Sequence, residues 1–509
     1  MTLSRTVALV ALAAACGFPG PPGTTITNVQ IIDGTGTPAR PGSVRIVADS
    51  IVAVGQVEAA TGDSVIDGGG LVLAPGFIDT HSHHDWGLDK MPDALAAVSQ
   101  GITTIIPGND GGHPTPLSAA FEALERNPPT VNVGYYAGHG TIRRAVMGDD
   151  FRRPARPAEI DSMAVLLQRE LDAGALGLST GLEYDPGIYS NRGEVLALAK
   201  VAAAAQGRYI SHIRSEDRWF WDAIDEIITI GREAKLPVQV SHIKLAMITL
   251  WGMADSLLSV LDQARASGVD ITADIYPYPY WQSTLTVLFP KRDFDNRAEA
   301  TKILKEIATP EGLLIGDYAP NAQYAGKTVA EIARLRREDP ASTLMTLIRD
   351  ALAWEKNHQT DPSNPSLESV VATSMSEPDI KKLLAWEHTN VCSDGALDGA
   401  HPRGFGAYPR VLGKYVREEK VLPLEGAIKR MTSLAAKHVG LTKRGTIAPG
   451  FRADLVLFDP ATVADRSTPK QPHLVSTGIA RVWVNGQVVY YDGKTTPARP
   501  GRVLKRQAQ

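Results

Sequence analysis

The chain has 509 residues, 43% of them hydrophobic and 21% charged, with two cysteines. This is the composition of an ordinary globular protein, and it excludes a disordered, fibrous or disulfide-framed chain. Its 52 Lys and Arg against 56 Asp and Glu leave a net charge of −4, with no basic footprint for nucleic acid.

Residues 1–16 read as a secretory signal peptide: Arg5 is the only charge ahead of an apolar run over 7–15, which ends in Ala13-Ala14-Ala15-Cys16. Nine residues rise ~13.5 Å as a helix, too short for a ~30 Å hydrocarbon core, and the small-residue end suits cleavage. The same end resembles a lipoprotein signal, in which the cysteine becomes the lipidated first residue, though the usual leucine three positions earlier is missing. Release into the periplasm and a lipid anchor at Cys16 both stay open, and that anchor is the only membrane attachment expected. Residues 17–24, rich in Gly and Pro, read as an extended linker.

Short alternating apolar stretches follow at 26–32, 43–47 and 50–54, and the same texture returns at 453–458 and 482–489, with Asn485-Gly486 as a hairpin turn. Residues 25–70 and 437–509 therefore read as one small β-sandwich built from both chain ends. Between them, residues 71–436 alternate buried strands with amphipathic helices. The strands are expected at 73–79, 102–107, 131–137, 175–179, 209–212, 238–242, 271–276 and 391–394, and helices at 160–173, 221–234 and 257–266 among others. This α/β rhythm predicts a (β/α)8 TIM-like barrel, with its active site at the C-terminal ends of the strands. Residues 288–376 interrupt it between the seventh and eighth strands, with helical stretches such as 327–337, and read as an inserted helical lid.

The first strand runs into Asp79-Thr80-His81-Ser82-His83. Residues i and i+2 share a face of a strand, so His81 and His83 can present two imidazoles to the barrel interior, and imidazole is the commonest metal ligand and suits zinc. His212 ends the fifth strand, His242 the sixth and Asp394 the eighth. Four histidines and an aspartate on four strand ends form a metal-site constellation.

Longer ordered motifs accompany it: Gly138-His139-Gly140-Thr141-Ile142-Arg143, Leu178-Ser179-Thr180-Gly181, Asp274-Ile275-Tyr276-Pro277-Tyr278, and Ser393-Asp394-Gly395 ahead of His401-Pro402-Arg403. With them the chain resembles the amidohydrolase superfamily, and within it the N-acyl-D-amino-acid deacylases (D-aminoacylases), over nearly its whole mature length. One position departs. Where the best-known deacylases carry a metal-binding cysteine after the second strand, this chain reads Gly108-Asn109-Asp110-Gly111. A carboxylate can bind zinc at ~2.0–2.2 Å and bridge two ions, so Asp110 is either a ligand or a residue that orients one from behind. The carboxylated lysine that many superfamily members use is not available, because 175–179 contains no lysine.

The resemblance implies one or two Zn2+ ions, with His212 and His242 at the tighter site and His81 and His83 at a weaker or vacant one. Asp394 is the expected acid/base: it takes a proton from the attacking water and returns it to the departing amine. Tyr276 either helps stabilise charge on the carbonyl oxygen or simply packs. Lys244, Arg403 and Ser283 are assigned to the carboxylate of a small N-acyl amino acid; for Lys244 and Arg403 an ordinary salt bridge is the alternative. Tyr280 and Trp281 can line an apolar pocket, and Cys392 reads as a small packed residue. The expected activity is hydrolysis of N-acyl-D-amino acids to a carboxylate and a free D-amino acid. Two alternatives are hydrolysis of a dipeptide, isoaspartyl-type or cyclic amide, and a non-catalytic lipid-anchored binding protein.

Overall fold

The computed structural model describes residues 21–358 and 367–506. The signal peptide, Cys16 and most of the linker lie outside the described residues. No described helix is long and apolar enough to cross a membrane.

Strands from both chain ends join one nine-stranded sheet. The seam is Val72–Pro75, which pairs in parallel with Thr24–Ile31 and antiparallel with Leu455–Phe458. Alternation buries Ile26, Val44, Ile46, Leu73, Leu455, Leu457 and Trp483 against one another. The hairpin between Ile479–Val484 and Gln487–Tyr491 turns through Asn485 and Gly486 at φ 46° and 81°, the geometry that a right-twisted hairpin favours.

The single strand expected over 73–79 is two. Val72–Pro75 belongs to the nine-stranded sheet, and after Gly76 the segment Phe77–Asp79 starts the barrel. Both pieces are buried, so their apolar run is continuous and hides the change of sheet. Gly76 marks it: a Cβ there would lie 2.2 Å from Thr103 Cγ2.

The barrel strands are Phe77–Asp79, Ile102–Ile105, a third in two pieces (Asn132–Val133 and Ala137–Gly138), Gly177–Gly181, Arg208–His212, Val238–Val240, Ile271–Ile275 and Thr389–Val391. Their pairing is parallel throughout. The ring closes beyond the regular strands, where the Asp394 N–H donates to the His81 carbonyl at 2.9 Å and the Ser393 N–H to Asp79 Oδ1 at 2.8 Å. The Tyr408 hydroxyl bridges the two closing strands, 2.9 Å from the Ile78 carbonyl and 3.1 Å from that of Val391.

The segment between the seventh and eighth strands carries helices Arg297–Glu306, Val329–Arg336 and Pro340–Asn357. It also holds an antiparallel sheet of Tyr280–Ser283, Glu368–Thr373 and Leu313–Tyr318, which a purely helical reading leaves out. Because Tyr280–Ser283 pairs with Glu368–Thr373, the cap begins ahead of residue 288.

Glu368 fastens this cap. Its buried carboxylate accepts the Leu285 N–H at 2.7 Å. Burial pushes its pKa up to about 7 from an ordinary 4.5, against the opposing pull of the Leu285 and Thr286 N–H groups. A carboxyl raised on folding leaves full stability below its unfolded pKa and withdraws it as pH climbs through the folded value. The free energy of unfolding measured in urea should therefore fall between pH 5 and 8, by an amount on the order of 3 kcal/mol. Glu368→Gln should flatten that slope, and parallel profiles for the two proteins would contradict this role.

Candidate active site

His81 and His83 lie in the turn after the first strand rather than on it, because the strand ends at Asp79. The turn holds both rings inward by a hydrogen bond from the His83 N–H to the Gly395 carbonyl at 2.8 Å. His212 is the last residue of its strand, whereas His242 and Asp394 lie just past theirs. Asp110, His242 and Asp394 all adopt left-handed backbone, with φ of 54°, 35° and 49°. Such backbone turns a side chain out of the strand direction, and non-glycine residues hold it only where their surroundings enforce it.

Those surroundings are visible. The Asp110 loop is pinned by the Thr141 N–H on the Gly111 carbonyl at 2.9 Å, and by the Gly111 N–H on Ser179 Oγ at 3.3 Å. Gly138 packs so close that a Cβ would lie 2.4 Å from Gly111. The His242 N–H donates to Asp274 Oδ1 at 2.6 Å, and Cys392 Sγ donates to the same oxygen at 3.2 Å. Cys392 is thus a buried supporting residue.

Asp110 stands between two histidine pairs and turns one oxygen toward each. Its Oδ2 is 3.4 Å from both His81 Nε2 and His83 Nε2, and its Oδ1 is 3.6 Å from His242 Nε2. His242 Nε2 lies 3.0 Å from His212 Nδ1. On the other side, Asp394 Oδ1 is 3.5 Å from His81 Nε2 and 3.3 Å from His83 Nε2. The donors fall into two groups that share Asp110, namely His81, His83, Asp110 and Asp394, and Asp110, His212 and His242.

The donor set fits a divalent metal. Both His81 ring nitrogens and Asp110 Oδ1 are buried with no hydrogen-bond partner. Burial alone would depress the pKa of His83 and of His242. For His83 the Asp110 and Asp394 carboxylates prevail and raise it to about 10. For His242 burial and Lys244 lower it, but Glu216 and Asp110 bring it to about 10. Burial opposes ionisation of Asp394 too, yet the Arg403 guanidinium and His81 hold it well below the usual carboxylate range. Two carboxylates, one buried and one partly buried, require positive charge between them, and a dication meets that requirement with nitrogen and oxygen ligands.

Two further carboxylates, absent from the sequence reading, stand behind the histidines. Glu183 Oε2 is 2.9 Å from His212 Nε2, and Glu216 Oε1 is 3.0 Å from His242 Nδ1. Each histidine thus turns one nitrogen to the metal group and the other to a carboxylate, an arrangement that fixes tautomer and ring orientation and raises ligand basicity. Burial and neighbouring His242 keep His212 down at about 4, neutral and ready to ligate. A usable signal was present in the sequence: Glu183 lies two residues past the fourth strand, where only a lysine was sought.

A cavity opens beside this centre and is bordered by His212, His242, Asp394, Lys244, Tyr276, Ser283 and Arg403. Arg403 Nη1 lies 2.6 Å from Asp394 Oδ2, and its guanidinium stacks 4.6 Å above the Tyr276 ring. Lys244 Nζ is 2.6 Å from Glu216 Oε1. The salt bridges foreseen as an alternative for these cations are present, inside the cavity. The Tyr276 hydroxyl and Arg403 Nε are buried without partners. Trp281 lines the cavity, whereas Tyr280 packs on His401 with ring centres 5.0 Å apart. Other rim residues serve the scaffold: His84 bonds Ser82, the Tyr135 hydroxyl bonds Asp85, His113 accepts the Gly138 N–H, and His139 bonds Glu194.

Asp110→Asn isolates the shared carboxylate, because Asn tolerates left-handed backbone and keeps the shape. It should release metal to a competing chelator more readily than the wild type. Asp110→Ala should lose both metal and about 1–2 kcal/mol of stability from backbone strain. Equal metal retention by wild type and Asp110→Asn would contradict a ligand role for Asp110. Glu183→Gln should weaken metal binding by about 10–100-fold.

Residues 64–316 and 316–490 match the model of the amidohydrolase family. The chain is 37% identical to N-acyl-D-glutamate deacylase of Alcaligenes xylosoxydans xylosoxydans over 94% of this chain and 95% of that protein. It is 33% identical to D-aminoacylase of the same organism, over 94% and 96%. The crystal structure of N-acyl-D-glutamate deacylase from Bordetella bronchiseptica, complexed with zinc and a phosphonate that mimics the tetrahedral intermediate, superposes with a TM-score of 0.83. It shows 34% identity and covers 95% of this chain and 100% of that one. The chain belongs to the amidohydrolase family, within its N-acyl-D-amino-acid deacylases.

Proposed function

We propose that this protein is a zinc-dependent hydrolase that cleaves the amide bond of N-acyl-D-amino acids. The observation that carries the reading is the shared Asp110 centre opening on a cavity that holds two cations, Arg403 and Lys244, and an unpartnered buried hydroxyl, Tyr276. The handedness of the substrate and the choice of zinc draw support from the relatives, which are named for D-amino acids and, in one structure, bound to zinc. His212, His242 and Asp110 would hold zinc, and His81 and His83 a second ion; when bound, the metal would supply Lewis acidity and a more acidic water.

The side chains do the remaining work. Arg403 Nε, free of a protein partner, can donate to the substrate carboxylate from its place beside Lys244. The Tyr276 hydroxyl can donate to the carbonyl oxygen as negative charge develops there. Asp394, held ionised by Arg403 and His81 against the opposing effect of burial, takes a proton from the attacking water. As the new C–O bond forms and the C–N bond breaks, Asp394 hands that proton to the nitrogen, which leaves as an amine. Ser283, at the cavity edge, is assigned to the same carboxylate.

The N-terminal apolar run and Cys16 support export, with the protein either free in the periplasm or anchored by a lipid on Cys16. Radiolabelled fatty acid entering the wild type and absent from Cys16→Ser marks the anchored form, and no label in either marks the free one.

Asp394→Asn keeps the left-handed backbone and removes the proton carrier. Turnover of an N-acetyl-D-amino acid should fall by about 10²–10⁴-fold, with metal still held by His212, His242 and Asp110. His212→Ala should lose metal and activity together. Wild-type turnover in Asp394→Asn would overturn its assignment as the acid/base.

A further inference from the structure

We infer that the substrate's amino-acid side chain is apolar and uncharged, and that the cap receives it through Trp281, Val287, Leu288 and Ile307. The inference rests on the deacylase reading and narrows it. Trp281 lies on the cap strand Tyr280–Ser283, Val287 and Leu288 in the turn Leu285–Leu288, and Ile307 closes the helix Arg297–Glu306. All four line the cavity that holds Asp394 and Arg403. Leu288 and Ile307 are only 2% and 3% exposed, so this wall is an extension of the hydrophobic core.

The charges around the cavity point the same way. Among the described residues, its only Lys and Arg are Lys244 and Arg403, and the deacylase reading assigns both to the α-carboxylate of the substrate. The other acidic side chains on its walls, beyond Asp394, are Glu183, Glu216 and Asp217, and burial beside the other two pushes the Glu183 carboxyl well above its usual range. The neighbouring cations are engaged elsewhere. Arg218 holds Asp217 at 2.9 Å and Glu299 at 2.6 Å, and Arg292 holds Asp185 at 2.9 Å and the Glu183 carbonyl at 3.0 Å. A second carboxylate on the substrate would meet hydrocarbon and find no free cation to pair with, and a buried charge without a partner is strongly disfavoured.

An ammonium side chain fares no better, because the wall carboxylates already serve other groups. Glu183 accepts from His212, Glu216 pairs with Lys244, and Asp217 accepts from the Ser215 hydroxyl at 2.7 Å. The chain therefore parts from the relative named for D-glutamate, despite 37% identity.

The test is kcat/KM of the zinc-loaded enzyme on the N-acetyl derivatives of D-leucine, D-methionine, D-phenylalanine, D-glutamate, D-aspartate and D-lysine. The apolar members should exceed the charged ones by at least about 100-fold. An acidic or basic member equal to or better than the best apolar one would overturn the inference. Val287→Arg, at a half-buried position, should raise the rate on N-acetyl-D-glutamate relative to N-acetyl-D-leucine at least tenfold; an unchanged ratio in a protein of wild-type melting temperature would count against the wall. Calorimetric titration with N-acetyl-D-leucine and N-acetyl-D-glutamate reads the same preference without turnover. Tighter binding of the leucine derivative with no hydrolysis of any member would remove the deacylase reading and keep the side-chain assignment. Tighter binding of the glutamate derivative would remove the assignment itself.

Discussion

Partly buried Asp110 and buried Asp394 are two carboxylates brought to either side of His81 and His83, and that juxtaposition is unfavourable without a cation. Carboxylates taken out of water so close together repel one another, and in a low-dielectric interior the repulsion is scarcely screened. Much of the architecture around the centre answers this constraint. Arg403 neutralises Asp394 from the cavity side, and the inner histidines supply either protons or lone pairs as the occupancy of the site demands. Glu216 and Lys244 form a charge pair immediately behind His242, so its ring sees little net charge beyond the centre itself.

The backbone makes its own concession to the chemistry. Regular strands would point alternate side chains into and out of the barrel, and three of the inward groups come instead from left-handed residues just past the strands. Such residues hold their geometry only within a rigid frame. Here the frame is built from backbone hydrogen bonds to neighbouring strand ends and from Asp274, which fixes His242 and Cys392 at once.

Legibility followed how local each signal was. His212, His242 and Asp394 stood out because a titratable residue at the end of a buried apolar run is rare, and the structure brings them to one cavity. Asp110 was visible only as a departure within a familiar motif. Glu183 carries a local signal, its place two residues past the fourth strand, but Glu216 does not, because its partner lies beyond another strand and nothing local tells a carboxylate behind a histidine from one facing solvent. The cap strands Leu313–Tyr318 and Glu368–Thr373 were hidden for a similar reason: they pair across intervening helices, and the short apolar runs LLIGDY and ESVVAT alone do not distinguish strand from helix.

The nine-stranded sheet sets the order in which the molecule can be completed. Val72–Pro75 is flanked on one side by strands made early, and on the other by Leu455–Phe458, almost the last part of the chain to be synthesised. Until that partner arrives, the early strands present a row of unsatisfied peptide groups, a template for pairing with another chain. The barrel's first strand follows after a single glycine, so its anchorage waits for the same event. The two ends of the polypeptide thus act as a clasp. The long sequence separation across that clasp slows closure and lengthens the period in which a nascent chain depends on protection from its neighbours.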